Sequence, residues 1–338
     1  MKLDKSCINR ILIINLAFIG DVILSTPVAR ALKKDYPHAT IDMLVVPTAQ
    51  AVAERNPYIH KVFVYDKKGR HKKISELITL ISQLRREKYH LAVATNFALR
   101  GAVMAFLTGA TYRAGYDAQH GKWFLTHVAR AERIGTQHEA DNYLDVLQPL
   151  GQTAEDTSLC LSIPLEDTAY VKNIIRQTQG KKLVVICPAG SYKRKSWTVE
   201  GYAKLICEIN NYADCCLIGG RAEEDFLNKI NDLAGSCAQV YGGTLTLGQS
   251  AALIQMADVM ISVDTGPLHI AQAVNTPVLA LFGPTDPAIW GPRNKQDIVF
   301  YNKVKCSPCW GKGLCPNHQC MVMIDSDRVI ASAMEMLK

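Results

Sequence analysis

The 338-residue chain has no uninterrupted apolar run of the 18 or so residues that cross a membrane as a helix. The longest apolar stretches are "ILIINLAFI" (11–19) and "AVMAFLTGA" (102–110). A G-x-G-x-x-G fingerprint is absent, which argues against a nicotinamide enzyme. The Walker pattern G-x-x-x-x-G-K-[ST] is absent too, so a P-loop nucleotidase is not expected. Low-complexity segments and short-period repeats are also missing, which excludes solenoids and disordered tails. Nothing in the sequence points to nucleic acid, and no such partner is expected. What remains, at 48% hydrophobic and 20% charged, is an ordinary globular composition long enough for two domains.

The start of the chain superficially mimics an export signal, with basic residues, an apolar stretch and "ARA" at 29–31. Asn15 interrupts that stretch and Asp21 follows it directly, so it reads as a first core strand. Eleven cysteines are many, but the number is odd and no convincing export signal precedes them. Cys7, Cys160, Cys187, Cys207, Cys215, Cys216 and Cys237 read as reduced thiols of a cytosolic protein.

Charge is uneven. Residues 1–150 hold 21 Lys+Arg against 13 Asp+Glu, a net of +8; residues 151–338 hold 17 against 18, a net of −1. The first half therefore suits an anionic partner. Its densest run, "KKGRHKK" from Lys67 to Lys73, is a solvated loop or a dock for an anionic acceptor or phospholipid surface.

Apolar runs and helical patterns alternate. Strands are expected near 11–16, 41–46, 61–65 and 91–95, then near 183–187, 215–218, 238–240, 259–263 and 278–282. Helices are expected near 22–35, 74–87, 98–107 and 138–148, then near 198–210, 222–234, 247–255, 267–273 and 326–337. A stretch rich in Gly, Thr, Ser and Pro (150–167) separates the two series. The pattern predicts an α/β fold of two Rossmann-like, doubly wound domains facing a central cleft.

Ligands of such sheets gather at the carboxyl ends of the strands, and the suggestive motifs lie there. In "NLAFIGDVILSTP" (15–27), Gly20 permits a tight turn and Asp21 is either a general base or a helix cap. In "PAGSYKRKSW" (188–197), Gly190 and Ser191 can reach a phosphate, with Lys193, Arg194 and Lys195 as nearby cations. "LIGGRAEEDF" (217–226) has Gly219 and Gly220 before Glu223, Glu224 and Asp225, which read as helix-start acids or a ribose contact. "SVDTGPLHIAQA" (262–273) sets Asp264 before Thr265, Gly266 and Pro267, at a helix start suited to an anion. His269 falls one turn inside, as a cleft residue or a core histidine. "LFGPTDPAIWGP" (281–292) reads as a rim loop in which Thr285 is a possible phosphate contact. Cys306, Cys309, Cys315 and Cys320 have four soft ligands within fifteen residues; zinc competes there with packed thiols or a disulfide, since only one C-x-x-C is present. "DSD" (325–327) reads as a helix cap rather than a metal-binding acid pair.

Taken in order, "GDVILSTP", "PAGSYKRKSW", "GG-R-AEE", "DTGPLH", "LFGPTDPAIWGP" and the terminal cysteine run resemble glycosyltransferase family 9, the ADP-heptose:lipopolysaccharide heptosyltransferases. The resemblance implies the GT-B architecture, with an acceptor domain over 1–160 and a sugar-nucleotide domain over 161–324. The helix of 325–338 is expected to pack back on the N-terminal domain. It implies an inverting transfer of heptose from ADP-heptose to the lipopolysaccharide inner core, without metal or other cofactor. Asp21 then looks like the base that deprotonates the acceptor, and Lys195 like the cation that neutralises the diphosphate. Ser191, Thr265 and Gly266 look like phosphate contacts, Asp264 a holder of sugar hydroxyls, and Glu223 a ribose contact. His269 matches the motif histidine. The expected location is cytoplasmic, with peripheral contact at the inner face of the inner membrane. A sugar-nucleotide epimerase of the same shape and a non-catalytic sugar-nucleotide sensor are the alternatives. The epimerase leaves the basic N-terminal half unexplained, and the retained Asp21 counts against the sensor.

Overall fold

The apolar runs become parallel strands buried on both faces. The computed structural model describes all residues except 1–2, 132–134, 154–155, 177, 191, 313–314 and 316. The chain divides into two compact units, Met1–Ser162 and Ile163–Lys338.

The first unit has strands β1 (Arg10–Asn15), β2 (Thr40–Val45), β3 (Lys61–Val64), β4 (Leu91–Ala94), β5 (Tyr112–Tyr116) and β6 (His127–Ala129). They form one sheet in the order β3-β2-β1-β4-β5-β6, with every pairing parallel. The second unit has β7 (Lys182–Cys187), β8 (Ala213–Gly219), β9 (Ala238–Gly242), β10 (Val259–Val263), β11 (Val278–Phe282) and β12 (Ile298–Tyr301). Read from β9, its order β9-β8-β7-β10-β11-β12 repeats the winding of the first, again all parallel. This is the doubly wound order, in which strand order reverses beside the first strand and leaves a crevice at the carboxyl edge. Ile11–Ile14, Val259–Val263 and Val278–Phe282 are wholly buried, as strands covered by helices on both faces must be.

The chain leaves β1 through a broken helix, Ile19–Leu24 followed by Thr26–Asp35. The break has a local cause. Pro27 has no amide hydrogen to continue the ladder, and the Thr26 hydroxyl donates to the Ile23 carbonyl at 2.7 Å in its place. Asn15, the last residue of β1, ties the turn from below; its Nδ2 donates to the Asp21 carbonyl at 3.2 Å and to Ser25 Oγ at 3.0 Å.

The last helix, Ser326–Met336, packs within the second unit. Val329, Ala333 and Leu337, four residues apart, share one buried cluster with Leu205, Ile206 and Ile209 of the helix Val199–Ile209. The Trp197 indole donates to the Ile324 carbonyl at 3.2 Å, and Lys204 pairs with Asp327 at 2.6 Å. Asp325 caps this helix by accepting from the Asp327 amide at 2.9 Å, so "DSD" is a cap as expected.

Candidate functional site

At the carboxyl end of β1, Asp21 occupies the third position of the helix Ile19–Leu24, immediately after Gly20. Its Oδ2 accepts from the Phe18 amide at 3.1 Å, so the carboxylate does cap the helix. Its Oδ1 accepts from the Tyr143 hydroxyl at 2.6 Å, across 122 residues of sequence. Tyr143 lies on the helix Glu139–Asp145, and its ring is stacked by Phe97 at 6.4 Å with an interplanar angle of 13°. Phe97 also packs on Tyr116 at 4.7 Å.

Three buried polar residues of that helix, Glu139, Asn142 and Tyr143, stand behind Asp21 at 6%, 2% and 1% exposure. Such burial demands partners. Asn142 Nδ2 donates to Glu139 Oε2 at 2.8 Å, Gln137 Nε2 donates to Asn142 Oδ1 at 2.8 Å, and the Tyr116 hydroxyl donates to the Asn142 carbonyl. Burial, then the charge of Asp21, push the Glu139 carboxyl above its ordinary range against the lowering pull of Asn142. Burial and the same two carboxyl groups push the Tyr143 phenol well above its ordinary value. A phenol that keeps its hydrogen is a dependable donor to Asp21.

In the second unit, Lys195 and Asp264 form one ion pair. Lys195 Nζ lies 2.7 Å from Asp264 Oδ2 and 3.0 Å from the Asp264 carbonyl oxygen, with the two side chains 12% and 8% exposed. The Tyr192 ring flanks the ammonium at 5.1 Å. Asp264 follows β10, and Thr265 and Gly266 open the helix Gly266–Ala273, with no side-chain cap from Thr265. The opening amides of this helix are thus available to an anion. A carboxylate at this spot would repel the anion if it stood alone, but the lysine neutralises it.

Gly190 is required by that pair. A Cβ added at Gly190 would lie 2.8 Å from Lys195 Cβ and 3.4 Å from the Asp264 carbonyl oxygen. Glu223 folds back at the end of β8, where a Cβ on Gly220 would meet its Oε2 at 2.6 Å. Its charge is close enough to Cys187, the last residue of β7, to join burial in pushing that thiol up to about 12. Cys187 is therefore no nucleophile. The Thr285 hydroxyl, beyond β11 and buried, has no hydrogen-bond partner among the described residues. His269 is 2% exposed, with Gln272 Nε2 at 3.2 Å from its Nδ1. Ser191 lies outside the described residues.

The cysteine segment packs against the same loops. The Cys309 and Trp310 amides donate to the Pro284 carbonyl at 3.0 and 2.8 Å, and Arg194 Nη1 donates to the Gly311 carbonyl at 3.1 Å. Cys306 is exposed and Cys320 buried. Burial, then the neighbouring Cys315, Cys309 and Cys306, push the Cys320 thiol up; among the described residues no three His, Cys, Asp or Glu form a metal-holding group. No described helix is long and apolar enough to cross a membrane.

Glu139, Asn142 and Tyr143 escaped the sequence reading. Their i, i+3, i+4 spacing puts them on one face of an expected helix, but only the fold reveals that this face is buried against Asp21.

The profile of glycosyltransferase family 9 (heptosyltransferase) matches residues 77–319. The chain is 30% identical to lipopolysaccharide heptosyltransferase 3 of Escherichia coli, over 84% of this chain and 86% of that one. Among solved structures it is similar to a glycosyl transferase family 9 protein of Veillonella parvula, with 27% identity, a TM-score of 0.84 and coverage of 100% and 98% of the two chains. It also matches the E. coli ADP-heptose lps heptosyltransferase II, with 20% identity, a TM-score of 0.80 and coverage of 97% and 98%. On the family profile and these relatives together, the chain belongs to glycosyltransferase family 9, the heptosyltransferases, and has the GT-B fold.

Proposed function

We propose that the protein is an inverting heptosyltransferase that moves heptose from ADP-heptose to the lipopolysaccharide inner core, with Asp21 as general base. The observation that carries this reading is the carboxylate of Asp21, fixed at the carboxyl edge of the first sheet by a donor on each oxygen. A base so held meets an acceptor hydroxyl without first having to reorient. The names of the relatives supply the donor and the acceptor.

The second unit holds the sugar nucleotide. Charge grows on the diphosphate as the glycosidic bond breaks, and Lys195 together with the opening amides of Gly266–Ala273 offsets it. Lys195 exchanges part of its contact with Asp264 for phosphate, and Asp264 turns toward sugar hydroxyls. Thr265 and Gly266 contact phosphate, and Glu223 at the end of β8 contacts ribose. The orphan hydroxyl of Thr285 is a further donor for phosphate. Attack opposite the leaving diphosphate in a single displacement inverts the anomeric carbon. The proton goes to Asp21 and the electron pair of the broken bond goes to ADP. The basic first half receives an acceptor rich in carboxylates and phosphates, at the inner face of a membrane.

The reading is tested by incubating the protein with ADP-heptose and lipopolysaccharides truncated at successive core positions. Sugar appearing on one acceptor supports it, and tight donor binding with no transfer to any acceptor sinks it. The reaction is expected to run without metal, so EDTA should leave the rate within about twofold of untreated enzyme. Loss of activity that a divalent ion restores would contradict this. Gly190→Ala is expected to raise the KM for donor by about tenfold to hundredfold, because the new methyl displaces Lys195 by the order of an ångström. An unchanged donor KM would separate Gly190 from the nucleotide site.

A further inference from the structure

A lysine ends in a point charge on a flexible four-carbon stem, so a lysine that must meet a diphosphate needs walls to aim it. Lys195 has two. One is Gly190, where an added Cβ would lie 2.8 Å from Lys195 Cβ and 2.9 Å from its Cδ. The other is the Tyr192 ring, whose centroid is 5.1 Å from the ammonium. The Lys195 amide donates to the Tyr192 carbonyl at 3.0 Å, and this tight turn sets ring and ammonium together.

The ring is backed in turn by the cysteine segment. A Cβ added at Gly311 would lie 2.9 Å from both Cε2 and Cζ of Tyr192. Arg194 Nη1 holds the Gly311 carbonyl at 3.1 Å across 117 residues of sequence. The Cys309 and Trp310 amides anchor the segment to the Pro284 carbonyl, and the Ser307 hydroxyl donates to the Gly283 carbonyl. Trp310 and Gly311 take left-handed backbone, with φ of 55° and 70°. For a tryptophan that conformation costs energy, and it persists only where surrounding contacts impose it. The Tyr192 hydroxyl, by contrast, is buried with no hydrogen-bond partner among the described residues. The fold therefore supports the ring rather than the oxygen.

We propose that Tyr192 and residues 307–311 are positioning residues for Lys195: the segment holds the Tyr192 ring against the ammonium, and the ring keeps that cation aimed at the place of the diphosphate. This rests on the reading of Lys195 as the diphosphate cation. The negative face of the ring attracts the ammonium while Asp264 Oδ2 holds it at 2.7 Å. Without the ring the stem regains its rotamers, and freezing them again on binding weakens the phosphate contact.

ADP and adenosine are the probes, since adenosine has no phosphate to meet Lys195. Calorimetry on the full-length protein should show Tyr192→Leu weakening ADP by about fivefold to thirtyfold and leaving adenosine within about twofold. Tyr192→Phe keeps the ring and removes only an oxygen without a partner, so both affinities should stay within about twofold of wild type. Gly311→Ala drives a methyl into the ring and should reproduce the loss of Tyr192→Leu.

Wild-type ADP affinity in Tyr192→Leu would overturn the positioning role. So would a parallel loss of adenosine, which is the mark of a loop that has merely lost its shape. A Tyr192→Phe variant as weak as Tyr192→Leu would overturn the assignment to the ring. If Tyr192→Leu or Gly311→Ala does not fold, Ser307→Ala loosens the segment at the Gly283 carbonyl and reads the same ratio of ADP to adenosine affinity. Lys195→Met is the separate control. Undiminished ADP affinity there removes Lys195 from the phosphate site, whereas a weakened Lys195→Met beside an unimpaired Tyr192→Leu removes only the present proposal.

Discussion

Asp21→Asn is expected to lower kcat by about 10² to 10⁴-fold while ADP binding stays within about twofold of wild type. The magnitude is that of removing a positioned base. Asparagine keeps the size of the side chain and one carbonyl oxygen for the Tyr143 hydroxyl or the Phe18 amide, so the turn after β1 should survive. Asn15 also anchors that turn through the Asp21 main-chain carbonyl, which the substitution leaves alone. On the proposed reading the nucleotide is held by the second unit, whose residues the substitution leaves unchanged. Single-turnover rates with saturating donor and acceptor, alongside ADP titration calorimetry, measure the two quantities separately. Wild-type turnover would remove Asp21 from the mechanism. A parallel loss of ADP affinity would mean the residue acts on nucleotide binding instead.

Lys195→Met should be the other severe variant, and for two reasons. It removes the cation proposed to meet the diphosphate, and it strands Asp264, whose side chain is 8% exposed. Breaking one side of a buried pair costs about 3–5 kcal/mol, chiefly through the charge left behind. The expected result is a marked fall in melting temperature together with loss of ADP binding. The double variant Lys195→Met with Asp264→Leu separates the two effects. It should recover much of the stability, because no buried charge is left unpaired, and none of the donor affinity. Equal destabilisation in single and double variants would show that the pair is not coupled. Retained ADP binding in either would move the phosphate site elsewhere.

The fold was readable wherever burial leaves a periodic trace. Val259–Val263 and Val278–Phe282 are continuous apolar strands and were located to the residue. Tyr112–Tyr116, His127–Ala129 and Ile298–Tyr301 were missed. Two of them are outermost strands, and short mixed runs such as "HVA" contain too little apolar pattern to register. The helix Leu165–Ile174 has no counterpart among the expected elements, because it buries only Asp167 and Val171 and leaves little apolar pattern. The start of the last helix is readable from Asp325.

The site divides in the same way. Asp21, Gly190 and Lys195, like Asp264, Thr265 and Gly266, follow strand-like runs, and the position alone singles them out. That Lys195 and Asp264, 69 residues apart, meet in one neutral pair was not visible, because contact at that separation depends on how strands are ordered in the sheet. The pairing resolves the apparent conflict of a carboxylate beside an anion site. For Tyr143 the obstacle is greater still. A tyrosine in a helix suggests packing, and only the tertiary contact turns it into a donor.

The winding of the sheets bears on how the chain is made. In the first sheet β2 and β3 add outward on one side of β1, and β4, β5 and β6 add outward on the other. Every strand therefore joins an open edge, and none has to wedge between two that are already paired. The second sheet grows outward from β7 by the same rule. A ribosome releases the strands in the order in which each sheet can accept them. The first sheet has all its members by Ala129, well before β7 begins at Lys182. Such a chain can settle its N-terminal half during synthesis and expose few unpaired edges while the remainder emerges.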